Sequence, residues 1–275
     1  MNRKIEKQIR KKGKKKRFYL SIFAFIMLLF VPVFVYASEM KSDGKTTQVI
    51  EEENKTVRVG YFPYFNFQEG SYGEHKQGAG YEYLQKISYI TGWKYEYVYG
   101  SFKECLDMLA DGKIDILGSV SYTPERAESI DFSTYAEGTE KYWIYTREDH
   151  TDLIGVADGS YQKDLLEKWL DSNQIHAEVV ACKGYDEMIE KLDADELDAL
   201  VIPALSVNSD FIAIANIGAG DCYFGVSKSR PDLLKELNAT LEEINNTETD
   251  YSSKLYARYE GKAVINYALN KEEKQ

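Results

Sequence analysis

The stretch Gly112-Lys-Ile-Asp-Ile-Leu-Gly-Ser-Val-Ser-Tyr-Thr-Pro-Glu-Arg126, followed by Ile130-Asp-Phe-Ser133, decides the fold of this chain. Ile114 to Leu117 reads as a buried strand, Gly118 to Ser121 as a polar turn, and Thr123-Pro-Glu as a helix start. Threonine accepts from amides that a helix start leaves unpaired, and proline fits the first helical position. Glutamate suits the positive end of the helix dipole. Arg126 does not, because a cation in a first turn costs roughly 0.3–1 kcal/mol unless something compensates. An anion held between Arg126 and the neighbouring hydroxyls would compensate; a solvated surface arginine is the plainer alternative.

Outward from this stretch, strands alternate with helices. Val57-Arg-Val-Gly-Tyr61 reads as a strand, and Pro63 to Gly80 as a loop dense in glycine and aromatics. Tyr81 to Ile90 reads as a helix stopped by Gly92, and Trp93 to Tyr99 as a second strand. That order implies mainly parallel sheets flanked by helices. An internal echo points to two related halves. Counting from Phe102, Leu106, Leu109, Ile114 and Asp115 fall at offsets 4, 7, 12 and 13; counting from Tyr185, so do Ile189, Leu192, Leu197 and Asp198. The second half opens at Leu153 to Ser160, a strand running into a helix from Tyr161 to Leu170. Gly159 and Ser160 place backbone donors and a hydroxyl at that helix start, where a carboxylate fits, as does an ordinary serine cap. Arg230 to Ile244 reads as a closing helix.

Charge is segregated. Residues 1–37 hold ten Lys/Arg and one Glu, whereas the remainder holds 24 Lys/Arg against 44 Asp/Glu. So acidic a body excludes nucleic acid as a partner, since phosphate contacts need basic patches. The basic run Arg3 to Arg17 precedes an uncharged apolar stretch, Phe18 to Ala37, which favours export with the body outside. That stretch reads equally as an uncleaved anchor or as a signal peptide cut after Val35-Tyr-Ala37, and either gives contact with a membrane. Ser38 to Lys55 reads as a charged linker. Cys105, Cys182 and Cys222 are odd in number and widely spaced, so buried thiols are expected; a Cys182–Cys222 bridge is the alternative. No metal motif and no phosphate loop is present, and no cofactor is expected.

The Ser119-x-Ser121–Thr123-x-x-Arg126 turn resembles the signature of family 3 extracellular solute-binding proteins, two-lobed receptors that feed amino-acid ABC transporters. The resemblance implies an α/β bilobed periplasmic-binding-protein fold of type II, with two mainly parallel sheets and two hinge crossings. The domains would be residues 1–37 (signal or anchor), 38–55 (linker), 56–147 (first lobe), 148–221 (second lobe), 222–265 (return to the first lobe) and 266–275 (tail). It further implies that Arg126 clamps a ligand carboxylate, aided by Ser121 and Ser119, with Ser160 and Tyr161 closing from the second lobe. Tyr64 and Phe65 would then stack on the ligand. One departure stands out: where such receptors place an acid for the ligand's ammonium, the alignment through Leu197-Asp-Ala-Leu-Val-Ile202 puts Pro203. The expected protein is therefore a non-enzymatic extracellular receptor for a small carboxylate-bearing solute. It would serve an ABC permease or act as the sensing module of a signalling output. The alternative is a dehydratase-like enzyme on the same scaffold, with Glu82 as the first acid to suspect.

Overall fold

Alternating burial along Val57-Arg-Val-Gly-Tyr61 seeds β1 (Thr56–Tyr61), around which the first half assembles. The computed structural model describes residues 55–147, 151–207 and 211–260, all within the compact unit that begins at Glu53. The expected signal or anchor at 1–37, the linker up to residue 54 and the tail from 266 lie outside the described residues.

After β1 come α1 (Ala79–Thr91), β2 (Lys94–Tyr99), α2 (Phe102–Ala110), β3 (Ile116–Ser121), α3 (Pro124–Ala127) and β4 (Ile130–Phe132). Gly92 ends α1 in the left-handed conformation, at φ 73°, its N–H donating to Ser88 O. A reciprocal pair between Ser101 and Glu104 caps α2. The chain continues through β5 (Gly138–Thr146), β6 (Leu153–Ala157), α4 (Tyr161–Asn173), β7 (Glu178–Cys182), α5 (Tyr185–Asp193) and β8 (Ala199–Pro203). It closes with β9 (Ile212–Ser227), α6 (Pro231–Thr247) and a further helical stretch at 251–260.

The strand order is β2-β1-β3-β9-β5-β8-β6-β7, with β4 also on β9. Two parallel triplets, β2-β1-β3 and β7-β6-β8, carry the two lobes. The two sheets expected from the sequence are joined into one ladder, because two long strands serve both. β5 pairs antiparallel with β9 from Gly138↔Cys222 to Thr146↔Ile212. It also pairs with β8 over Tyr142–Thr146, while β9 runs on to β3 and β4 through Ser227. The chain thus leaves one triplet along β5 and returns along β9, with register shifts between Tyr142 and Trp143 and between Ile144 and Tyr145 that bend the crossing.

The internal echo is structural. Asp115 N–H donates to Arg58 O at 2.8 Å, and Asp115 Oδ2 accepts from Arg58 N–H at 2.8 Å. In the other lobe Asp198 N–H donates to Leu153 O at 2.9 Å, and Asp198 Oδ2 accepts from Leu153 N–H at 2.8 Å. Each aspartate ties the start of the third strand of its triplet to the central one. Around these ladders, Leu84, Ile87, Leu109, Phe224 and Leu237 fill the first-lobe core, and Ile154, Val156, Leu166 and Val201 the second.

Candidate functional site

The polar turn expected at Gly118–Ser121 is instead strand. Ser119 sits at φ 55°, and the pairing of β3 with β9 shifts between Leu117 and Val120, so the strand absorbs a bulge and continues to Ser121. The bulge matters because Ser119 and Ser121 both line one narrow cleft, with a cavity of about 40 Å³. The first lobe also contributes Phe62, Tyr64 and Phe67 from the loop after β1, Phe102 from α2 and Arg126 from α3. The second lobe contributes Ala157, then Ser160, Tyr161 and Gln162 at the start of α4, with Pro203 ending β8 and Ser206 in the 3-10 turn after it. Between them the shared strand β5 presents Glu140 and Tyr142.

Arg126 is positioned by its own helix start: Thr123 Oγ1 accepts from Arg126 N–H at 3.2 Å, and Pro124 opens the turn. Its Nη1 donates to Ser121 O at 2.6 Å and its Nη2 to Gly159 O at 2.8 Å, which bridges the two lobes. The guanidinium lies 5.8 Å from the centroid of Phe102. Among the described residues no carboxylate lies within ion-pair distance of it. Partial burial lowers the Arg126 pKa, with Asp164 and Tyr142 opposing the shift. Arg126 is thus half-buried and tied to two carbonyl groups.

Ser160 occupies the N-cap position of α4, yet its side chain makes no capping bond, and its buried Oγ has no hydrogen-bond partner. Gln162 Oε1 and Tyr64 Oη are likewise buried without partners. Gln162 lies close enough to favour the Tyr64 phenolate, although no hydrogen bond of ordinary geometry joins them. Three buried polar atoms without partners on the residues of one cleft are what a ligand site requires.

Phe65 does not line the cleft. It stacks on Tyr185 at 6.1 Å and 15°, and its carbonyl accepts from Ser206 Oγ at 2.9 Å. The chain turns tightly at Tyr64–Gln68, and Phe62, Phe67 and Phe102 form the aromatic wall instead. Glu82 lies elsewhere too, held by Arg258 Nη2 at 2.9 Å and by Tyr259 Oη. All three cysteines are free and buried, so the Cys182–Cys222 bridge does not form.

Sequence reasoning missed two acids. Glu140 is 7% exposed; its Oε1 accepts from Ser119 Oγ at 2.9 Å and its Oε2 from Tyr142 Oη at 2.9 Å. Burial raises its pKa against those two hydrogen bonds. Behind it Glu137 is fully buried, with Oε2 accepting from Ser119 N–H at 2.6 Å and Oε1 unpartnered. Burial, with Glu140 adding repulsion and the Ser119 amide opposing, pushes Glu137 up to about 8. The signal was present: period-two alternation along Gly138-Thr-Glu-Lys-Tyr-Trp-Ile puts Glu140 on the same inward face as Tyr142 and Ile144.

The model of bacterial extracellular solute-binding proteins, family 3, matches residues 57–262. The chain belongs to this family. No curated protein matches it significantly. Among solved structures, an ancestral arginine-binding protein bound to arginine shares 21% identity and a TM-score of 0.63, over 74% of this chain and 97% of that one. A putative L-cystine ABC transporter protein from Listeria monocytogenes shares 17% identity and a TM-score of 0.63, over 75% and 96%. An ancestral amino acid-binding protein described as a precursor of cyclohexadienyl dehydratase shares 20% and 0.62, over 74% and 95%. At these identities the likeness establishes the bilobed fold, in which Arg126, Ser119, Ser121, Ser160 and Tyr161 of this family 3 protein meet around one cleft. Among the described residues no helix is long and apolar enough to cross a membrane; Phe18 to Ala37 lies outside them.

Proposed function

We propose that this family 3 protein is a non-enzymatic receptor that closes its lobes over a small carboxylate-bearing solute. Arg126 takes the carboxylate; Ser119, Ser121, Ser160 and Tyr161 flank it, and Tyr64 covers it. The observation that carries this reading is the half-buried Arg126 guanidinium, which lines the cleft with two N–H groups on main-chain carbonyls and, among the described residues, no carboxylate at ion-pair distance. Burying an unpaired charge is costly, and a ligand carboxylate on the remaining N–H groups would offset that cost with two parallel bonds. The amino-acid receptors among the solved neighbours support the same class of solute. Delivery to an ABC-type permease is the output those neighbours favour, with residues 18–37 carrying the receptor to the outer membrane face. A role as the sensing module of a signalling output uses the same closure.

The test is calorimetric titration and thermal shift of the full chain against amino acids, small carboxylates, oligopeptides and sugars, beside Arg126→Ala. A solute at a hundredfold over its dissociation constant stabilises by about 2.7 kcal/mol, roughly 5–10 °C here. A carboxylate that binds both proteins equally would refute the assignment of Arg126.

A dehydratase-like reading is favoured by one observation: Glu140 is a cleft acid whose pKa burial raises, as a general acid requires. Both of its oxygens already accept protein hydrogen bonds, which ranks this reading second. Recovery of unaltered prephenate-like compounds by mass spectrometry after prolonged incubation would remove it.

A further inference from the structure

The loop between β1 and α1 brings Tyr64 and Phe67 to the cleft, and near its far end it carries a lysine without an anion. Lys76 is half-buried, and among the described residues no carboxylate lies within ion-pair distance of it. The acids of its own loop are engaged elsewhere. Glu69 accepts from Asn66 N–H and from Gln77 Nε2, both at 2.7 Å, and Glu74 accepts from Ser71 N–H at 2.8 Å. Lys76 faces three rings instead. Its Nζ lies 5.7 Å from the centroid of Tyr61 and 5.5 Å from those of Tyr97 and Tyr99.

This cage follows from the sheet. β1 and β2 pair in parallel with Tyr61 opposite Tyr99, and Tyr97 stands two residues before Tyr99, so the three side chains share one face. The rings brace one another: Tyr61 meets Tyr97 at 5.1 Å and Tyr99 at 5.3 Å, with interplanar angles of 69° and 60°. Tyr61 is fully buried, and its Oη donates to Glu69 O at 2.6 Å, which ties the cage to the loop a second time. The face of an aromatic ring is the negative side of its quadrupole, so three rings around one ammonium attract it, more strongly where water is partly excluded.

The same loop is latched to the second lobe. Asn66 Nδ2 donates to Leu205 O at 2.9 Å, and Ser206 Oγ donates to Phe65 O at 2.9 Å. We infer that Lys76 is a positioning residue: its ammonium, seated in the Tyr61–Tyr97–Tyr99 cage, fastens the loop to the first-lobe sheet. It thereby holds Tyr64 and Phe67 at the cleft, and Phe65 and Asn66 against the second lobe. The cage is a cation site whose occupant is built into the chain, and none of its residues lines the solute cleft. Its role does not depend on which solute the cleft takes. Emptied of Lys76, it accepts a free quaternary ammonium ion, the kind of cation that aromatic cages hold.

The experiment has two readouts on the full chain in mild detergent, without solute. The first is hydrogen–deuterium exchange over residues 63–78 in wild type, Lys76→Met, Lys76→Arg, Tyr99→Phe and Tyr99→Leu, with melting curves as the folding control. Lys76→Met keeps the stem and removes the cation; it should speed exchange in the loop about two- to fivefold, the range of one cation on aromatic rings at a partly exposed site. Tyr99→Leu should do the same, whereas Lys76→Arg and Tyr99→Phe, which keep cation and ring, stay near wild type. The second readout is titration with tetramethylammonium, followed by its own proton resonance. It should bind Lys76→Ala, and neither wild type nor Lys76→Ala combined with Tyr99→Leu. Loop exchange in Lys76→Met equal to wild type would overturn the positioning role, because the stem and not the charge would then hold the loop. Lys76→Arg exchanging as fast as Lys76→Met would overturn it too. Tetramethylammonium that binds wild type and Lys76→Ala alike, or binds neither, would overturn the cage.

Discussion

Replacing Glu137 with glutamine should abolish a pH dependence of stability that one residue imposes on the whole fold. Glu137 is fully buried beside Glu140, and its carboxyl is raised from 4.5 to about 8, chiefly by burial. Between those values the folded chain holds a proton that the unfolded chain has released. Stability therefore falls as pH rises, at up to about 1.4 kcal/mol per pH unit, and levels off above the folded value. Between about pH 5 and 8 this residue alone removes on the order of 3 kcal/mol, a large share of a typical domain's stability. Glutamine resembles the protonated acid in shape, accepts from the Ser119 amide, and cannot ionise. Urea unfolding of both proteins, followed by the fluorescence of Trp93, Trp143 and Trp169 across that range, isolates the effect. Other titrating groups contribute to both curves and cancel in the difference. The expected outcome is a variant that gains on wild type steadily with pH. Parallel curves would refute the reasoning, because Glu137 would then ionise in the fold as easily as out of it.

The two aspartate staples should respond differently to the same substitution. Asp115 is 1% exposed and binds Arg58 Nη2 at 2.6 Å and Arg230 Nη1 at 3.1 Å, so Asp115→Asn leaves Arg58 without its carboxylate and Arg230 with Asp232 alone, and costs about 2 kcal/mol or more in urea unfolding. Asp198 accepts from the Leu153 amide, and Asp198→Asn retains that bond with a change under about 0.5 kcal/mol. Gly138→Ala places a methyl 2.5 Å from Tyr256 Cζ in a buried ring, which should lower stability by about 1–3 kcal/mol; an unchanged melting temperature would show that the ring yields freely. Ser160→Ala should lose less than about 0.5 kcal/mol in the unliganded protein, since this N-cap serine makes no capping bond, while weakening the solute in calorimetry. At saturating solute, small-angle scattering should find Gln162→Ala less closed than wild type, because Gln162 reaches the cleft from the second lobe; equal closure would refute that role.

The family and the alternation of strands and helices were legible because the Ser119–Arg126 turn, the caps and the echo at Asp115 and Asp198 are local patterns. Thr123 caps α3 as its position demands, and the aspartates staple as their spacing suggests. What was not legible depends on direction. Phe65 and Phe67 are two residues apart in one aromatic run, and only the turn at Tyr64–Gln68 decides which faces the cleft. Ser119 looked like loop because a positive φ in a non-glycine residue is written in no local pattern; it arises where β3 must keep its ladder to β9 around Glu137. Glu140 was hidden by its company, a charged residue between Thr139 and Lys141, which reads as solvated surface until the pairing of β5 fixes its face.

Where an acid stands in a two-lobed receptor decides what it can do. A ligand moves an open–closed equilibrium only by the contacts it makes better in one state than in the other. An acid at the end of β8 would travel with the second lobe, so its bond to an ammonium would form on closure and drive it. Pro203 removes that contribution. Glu140 stands on β5, where it pairs with Gly220 of β9 and accepts from Ser119 of the first lobe. A ligand group that met Glu140 would contact it from the first-lobe side and would add affinity more than closure. The closing force falls to groups that approach from the second lobe, namely Ser160 and Gln162, and to protein contacts that already bridge the lobes. Arg126 donates to Gly159 O, Asn66 Nδ2 to Leu205 O at 2.9 Å, and Ser206 Oγ to Phe65 O. Such a receptor depends less on its ligand to close than one with its acid on β8, and a substitution at Glu140 should therefore change how tightly it binds far more than how far it shuts.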